Sequence, residues 1–534
     1  MIKYSIFALL ALSMMITACN KKETADIIFT HGQVYTVNDS MEVVEAFAVK
    51  NGRILATGST NDILSAYKSD SIKDLEGNAV YPGFIDPHCH FWGYGTNMQQ
   101  VDLTGVASEV EMLSRVKSFS DAHPEIFWIQ GRGWDNTMWD DPVLPSNRDL
   151  NALFPDQPVV LRRVDGHAVL ANDKAIALAK AKDLDGISGV KGIFLDHHAM
   201  PLLNAVPDMS EEKKQQALLN AQSDAFKVGL TTVHDAGMNY EWVERIKKLQ
   251  EQGELHMRIY AMLHPVKENF DFMYNGIVKT DFLTVRSLKL FADGALGSRG
   301  AKLIQPYYDK PNTNGLLLIH PDTMLRYCEL AYDMGFQVNT HAIGDSANRM
   351  VLDIYSKVLR EHNDFRWRIE HSQVVNPDDM DKFADFDIIP SIQTTHATSD
   401  MDWAEKRLGE ERIHHAYQYK DLLRQNGWLP NGSDFPVEDI NPLYGFYAAI
   451  SRQDKSGNPA NGFMPDQALS REQALKAMTI WAAKAGFEEN VKGSIEKGKM
   501  ADFVILEKDI MKIPVKEIYS VKVTETYLDG KKVF

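Results

Sequence analysis

Two histidines one residue apart, His88 and His90 on either side of Cys89, are the first residues of this chain whose spacing could do chemistry. In a strand, positions i and i+2 point to the same side. Both imidazoles can therefore bind one cation while Cys89 faces elsewhere. Alone, the pattern is more often two core or surface histidines; residues further along the chain change that weighting. Lys289 sits in an otherwise apolar strand-like run, where a lone ammonium is costly to bury and needs a partner or a modification. His341, His371 and Asp434 each end a further strand-like run. Two histidines, then Lys, His, His and Asp in strand order form a specific constellation. Imidazole and carboxylate ligands suit zinc, although ligand type does not separate it from manganese or iron.

The elements that would position these groups alternate between strand-like and helix-like texture, which reads as α/β. Eight strands are expected, at 83–90, 231–234, 257–262, 287–291, 336–341, 367–371, 388–393 and 428–433, with helical patterns such as 242–252, 322–333 and 346–360 between them. That is the plan of a (β/α)8 TIM-like barrel, whose active sites lie at the carboxyl ends of the strands. The gap between the first two strands is too long for one helix. Residues 93–226 are expected to form an inserted α/β subdomain over the barrel mouth, with strands near 127–131 and 159–163. Short strands with an Asn51-Gly52 turn before the barrel, and strands with an Asp529-Gly530 turn after it, have the texture of one small β-sandwich shared by both chain ends. The expected division is therefore 26–82 with 487–534 for that sandwich, 83–92 with 227–486 for the barrel, and 93–226 for the insertion.

The first residues read as an address. Lys3 precedes an apolar run from Ile6 to Ile16, which is too short to span a bilayer. Ile16, Thr17, Ala18 and Cys19 then resemble a bacterial lipobox. Residues 1–18 are expected to be a lipoprotein signal peptide, Cys19 the lipidated residue and 19–25 a tether, giving a body anchored by lipid in the cell envelope, at the periplasmic or outer-membrane face. A plain secretory signal cut near Ala18, or a membrane-anchor segment, is the alternative. A net charge of −16 (57 Lys and Arg against 73 Asp and Glu) argues against a nucleic-acid partner. Three cysteines in 534 residues cannot make a disulfide framework.

At the level of motifs the chain resembles the amidohydrolase superfamily, in its YtcJ-like branch (amidohydrolase family 3). The runs that carry the resemblance are Pro82 to His90, Gly229 to Gly237, Lys289 to Ala301, His341 to Asp345, Arg368 to His371, Gly432 to Asp434 and Gly493 to Asp502. The resemblance implies a hydrolase with two divalent metal ions, zinc by preference. His88, His90 and Asp434 would hold one metal, His341 and His371 the other, and a carboxylated Lys289 would bridge them. It further implies cleavage of a C–N bond in an amide, N-formyl, N-acyl or cyclic amide substrate. A metal-activated hydroxide would attack, with Asp434 as the catalytic proton shuttle. Members of the superfamily often dimerise, so a homodimer is an expectation.

Further candidates for substrate binding are Trp92, Asp165 and His167 in the insertion, Asp293 and Arg299 past the Lys289 strand, and Gln393 at the end of the seventh strand. Packing, turn formation and loop rigidity are the plainer readings of these positions. His234 would support a ligand from behind, and His396 lies outside the ligand set. A one-metal site with Lys289 in a salt bridge, as in a mononuclear N-acyl-amino-acid deacylase, stays open, as does a lipid-tethered binding protein without turnover. The lipobox is directly testable. The mature protein should partition into detergent and begin at an acylated Cys19, and Cys19→Ala should carry no lipid. A mature N-terminus without lipid mass would remove the anchor.

Overall fold

The computed structural model describes residues 22–164, 168–182 and 189–534. At its centre seven parallel strands pair in sequence order. They are β1 (Phe84–Cys89), β2 (Leu230–Met238), β3 (Arg258–Leu263), β4 (Leu283–Phe291), β5 (Gln337–Ala342), β6 (Arg368–His371) and β7 (Ile389–Ser391). β1, β2 and β3 are buried at every position, as expected of parallel strands covered on both faces. The two faces differ in chemistry. In β4, Leu288 and Leu290 alternate with Ser287, Lys289 and Phe291; in β6, Ile369 alternates with Arg368 and Glu370. One face meets the helices as hydrocarbon, and the other forms a polar interior in which Asn339 of β5 donates to the Ser287 hydroxyl at 2.7 Å.

The eighth strand expected at 428–433 is not formed, and the barrel is nearly closed rather than complete. A single parallel bridge joins Asn431 to Ile392. Closure comes instead from backbone bonds on both sides: Gly432 N–H donates to Ile392 O at 2.9 Å, and Asp434 N–H donates to His88 O at 2.8 Å. The local sequence explains why no ladder forms. Pro430 has no N–H to give. Gly432 lies so close to β1 that a Cβ would meet Asp86 Oδ1 at 2.7 Å and the His88 nitrogen at 2.8 Å. Asp434 turns the chain with φ of +64°.

Between β1 and β2 a separate five-stranded sheet runs in the order 101–102, 129–134, 159–163, 168–171 and 193–195, around buried Trp134, Trp139 and Leu161. Both chain ends enter a six-stranded sheet, where Val504 pairs with Tyr81 and Ile505 with Val80. A four-stranded sheet from residues 27–74 shares a core with it. Phe29 stacks on Phe47 at 4.7 Å between ring centroids, and Phe503 meets both edge-on at 5.0 Å. This β unit is tied to the barrel by Arg258 of β3, which donates from Nε to Asp502 Oδ2 (2.6 Å) and from Nη2 to Asp529 Oδ1 (2.6 Å). Among the described residues no helix is long and apolar enough to cross a membrane.

The aromatic cluster makes a measurable claim about the C-terminal strand. Phe503 is fully buried among rings from the other end of the chain. Phe503→Ala should cost about 3–5 kcal/mol in urea unfolding, the usual range for emptying a buried aromatic site.

Candidate metal centre

His88, His90, Lys289, His341, His371 and Asp434 come together at the carboxyl end of the barrel. His88 and Cys89 end β1, and His90 opens the short helix α1 (Phe91–Asn97). Asp434 Oδ1 lies 3.1 Å from His90 Nε2 and 3.4 Å from His88 Nε2. The ring of His371 sits 4.9 Å from that of His88 and 4.6 Å from that of His341. Ligand atoms of His88, His371 and Asp434 fall within 4.8 Å of one another. Lys289 is wholly buried beside the Phe291 ring, at 5.0 Å. His90, with a third of its side chain exposed, is the ligand candidate most open to solvent.

Asp86 fixes the frame from below. Its Oδ1 accepts from the His88 backbone (3.0 Å) and its Oδ2 from the Ser433 hydroxyl (2.6 Å), which staples β1 to the segment carrying Asp434. His371 and Asp434 both adopt positive φ, +76° and +64°. Side chains rarely take that conformation, and such strain gathers at functional sites.

Burial sets the protonation of the centre. It pushes the Lys289 amine down to about 8 against the upward pull of Glu370 and Asp434. It also takes His341 down to about 3, helped by the charge of Lys289, and His371 well below its usual range, helped by His341. Those two rings are thus neutral, with lone pairs available. For Asp434, burial works upward, but hydrogen bonds and charge from His88 and His90 outweigh it and hold the carboxylate ionised.

The donor set fits a divalent metal. Lys289 Nζ, His341 Nε2 and His371 Nδ1 are buried without any hydrogen-bond partner. Buried polar atoms are almost always paired, so three orphans beside the Asp434 carboxylate point to a group they would bind. His88 is already prepared for such a role. Its Nδ1 faces Glu370 Oε2 at 2.6 Å, which leaves Nε2 directed at Asp434.

The remaining candidates have other surroundings. Trp92 donates from its backbone to Asp235 Oδ2 and from Nε1 to Gly237 O, both at 3.1 Å, and stacks on Trp242. Asp293 accepts backbone N–H groups from Lys302, Ile343 and Gly344 at 2.7–3.0 Å, so it anchors loops, although its Oδ1 is 3.7 Å from His341 Nε2. Arg299 pairs with Asp309 (2.8 Å), which also takes Arg407. Gln393 is buried with its Oε1 unpaired. His234 is buried beside Arg368, whose Nη2 is 3.1 Å from its Nδ1. Asp165 and His167 lie outside the described residues, as does Cys19.

Sequence reasoning missed three residues near the centre and set a fourth, His396, outside the ligand set. Glu370 grips His88. Asp235, pushed up to about 7 by burial, caps α1. His264, taken down to about 4 by burial and by Lys289, follows β3. His396 Nε2 lies 3.7 Å from Asp434 Oδ2. Arg368 and Glu370, two charges inside a four-residue strand, were the available signal for the first.

A nearly closed parallel barrel with a histidine-rich centre at its carboxyl end is the arrangement of a metal-dependent hydrolase. The sequence profile of the amidohydrolase family (family 3) matches residues 72–534, and the chain belongs to that family. It is 34% identical to the protein LONG AFTER FAR-RED 3 of Arabidopsis thaliana, over 96% of this chain and 92% of that protein. It is 30% identical to YtcJ of Bacillus subtilis (strain 168), over 95% and 99%. With N-substituted formamide deformylase of Arthrobacter pascens the identity is 25%, over 95% and 97%. A metal-dependent hydrolase from Pyrococcus horikoshii OT3 superposes with a TM-score of 0.79 at 28% identity, covering 92% of this chain and 99% of that one.

The Glu370 grip on His88 has a direct consequence. Glu370→Ala should weaken metal binding about 10–100-fold in chelator competition, because an unpinned His88 loses its fixed tautomer. Glu370→Gln, which keeps an acceptor oxygen, should lose less.

Proposed function

We propose that this protein hydrolyses a non-peptide C–N bond, in an amide, N-formyl, N-acyl or cyclic amide substrate, using two divalent metal ions, zinc by preference. The observation that carries this reading is the set of buried, unpartnered polar atoms on Lys289, His341 and His371, gathered around the ionised Asp434 carboxylate. The name of the Arthrobacter relative, a formamide deformylase, supports the substrate class.

His88, His90 and Asp434 would hold one metal, and His341 and His371 the other. Lys289 would bridge them as a carbamate. Only a neutral amine adds to carbon dioxide, and burial lowers Lys289 to about 8, which raises its neutral fraction. Such metals supply Lewis acidity and a nucleophile from water at neutral pH. Asp434 moves the proton, taking it from the attacking water and giving it to the leaving nitrogen. Its Oδ1 faces the His88 and His90 side of the centre, and its ionised state is what a base requires. The proposal extends to location: residues 1–18 act as a lipoprotein signal and Cys19 tethers the enzyme to the cell envelope.

A one-metal reading, a mononuclear N-acyl-amino-acid deacylase, has its own support, since His88, His371 and Asp434 alone could surround a single ion. Metal analysis separates the two. The purified enzyme should hold about two metals per chain. Lys289→Ala should lose at least one, and short carboxylic acids that replace the carbamate should partly restore turnover. Activity is expected within a panel of N-formyl and N-acyl amines, hydantoins and dipeptides. One metal beside an unmodified Lys289 amine would favour the mononuclear deacylase. A fully metallated protein inert across the panel would favour a binding protein.

A further inference from the structure

His396 belongs to no ligand set, yet its position is hard to account for as packing. It lies in the first turn of the helix α2 (Thr394–Leu408), which leaves the end of β7. Its ring lies nearly parallel to that of His371, 5.6 Å away at an angle of 19°. Its side chain is 12% exposed, and its Nε2 is buried without a hydrogen-bond partner. An acceptor lies close to that orphan nitrogen: Asp434 Oδ2, at 3.7 Å.

The surroundings hold His396 and Asp434 as one unit. Thr394 N–H donates to Asn431 Oδ1 at 3.0 Å, Asn431 Nδ2 donates to Thr394 Oγ1 at 3.0 Å, and Thr394 Oγ1 donates to Gly445 O at 2.7 Å. The first turn of α2 is thereby bolted to the segment that carries Asp434. One turn further along α2, the Asp400 carboxylate accepts from Tyr417 OH (2.8 Å) and Gln373 Nε2 (3.1 Å). Burial raises that carboxyl to about 6, and the largest opposing influence is the charge of His396. His396 and Asp400 are one turn apart on α2, and His396 Nε2 is directed toward the Asp434 carboxylate of the metal centre.

The two oxygens of Asp434 have separate environments. Oδ1 faces His90 and His88, and Oδ2 faces His396. We propose that His396 is a positioning residue: its Nε2–H donates to Asp434 Oδ2 and keeps the carboxylate turned so that Oδ1 faces the centre. Without that donor, the carboxylate is free to rotate about its last bond, and the oxygen aimed at the centre is no longer fixed. A separation of 3.7 Å is long for a hydrogen bond, and catalytic contacts of this kind are commonly loose before the site is loaded. The inference rests on the reading of Asp434 as the proton shuttle.

The test uses the zinc-loaded protein and two variants. His396→Phe keeps a ring against His371 but has no donor. His396→Gln restores an N–H. Crystal structures of the loaded forms should show Nε2–Oδ2 shortened to about 3 Å in the wild type. The Asp434 carboxylate should be rotated in His396→Phe and back in place in His396→Gln. On the most active substrate of the amide panel, kcat should fall about 10–100-fold in His396→Phe with KM little changed, and recover in His396→Gln, at equal metal content. An Asp434 carboxylate unmoved in His396→Phe would overturn the proposal. So would Nε2 bound directly to zinc with a zinc lost in both variants. Asp434→Asn, run alongside, separates the two ideas. It should lose about 10²–10⁴ in rate. If it turns over normally, the shuttle assignment fails, while the crystallographic comparison still decides what His396 does to Asp434.

Discussion

The buried charge of Glu370 is the interaction on which the rest of the centre depends. It faces His88 Nδ1 at 2.6 Å and lies 3.6 Å from Arg368, and its charge also acts on Lys289. Burial alone would raise a carboxyl in this position. The cationic surroundings overcome that and hold Glu370 at about 2. Without this anion the buried Arg368 guanidinium and the His88 imidazole would lose their adjacent carboxylate, and removing one partner of a buried charge set is strongly destabilising. Glu370 therefore has two consequences. It makes a polar barrel interior tolerable, and it selects the nitrogen that His88 presents to the centre.

Closure of the barrel is part of the same design. A regular eighth strand would set Asp434 by ladder geometry. Here the segment 429–435 is fixed by discrete bonds, to Ile392 on one side and to His88 and Asp86 on the other. Asp86 receives both the His88 backbone and the Ser433 hydroxyl, so the first strand and the last segment cannot shift independently. The separation of His88 and Asp434 is thereby set by one carboxylate bonded to His88 and to Ser433, the neighbour of Asp434, rather than by a sum of strand spacings. Gly432 makes this approach feasible, since any Cβ would enter the space of Asp86 and His88.

Much of this was legible in the sequence because both signals are local. Buried parallel strands read as short apolar runs, and seven of the eight expected runs are strands. A polar residue within or at the end of a run, as Lys289, His341, His371 and Asp434 are, stands out against its apolar neighbours. Less legible was anything decided by a partner distant in sequence. Glu370 is 282 positions from His88. Asp293 and Arg299 looked like loop residues facing a ligand, but three backbone N–H groups take the first and Asp309 the second. The missing eighth strand was a failure of the same kind. Trp428 to Ser433 has the texture of a strand, while Pro430 and the approach of Gly432 to Asp86 prevent a ladder.

Strain and desolvation converge on the same few atoms. His371 and Asp434 hold positive φ at the centre, and His371 leaves a buried ring nitrogen without a partner. Either cost alone would be a liability in a core. Together they mean that the fold keeps these side chains in poor arrangements for the protein by itself, held there by β-strands, by Asp86 and by the bolted first turn of α2. A group that satisfies those atoms would recover what the folded chain gives up in isolation. Ligand binding and fold stability are then linked, because anything that binds the native state and not the unfolded chain raises its stability by mass action. The centre is preorganised for a cation in this sense: its geometry is imposed by the barrel and by Glu370, and does not wait for a ligand to assemble it.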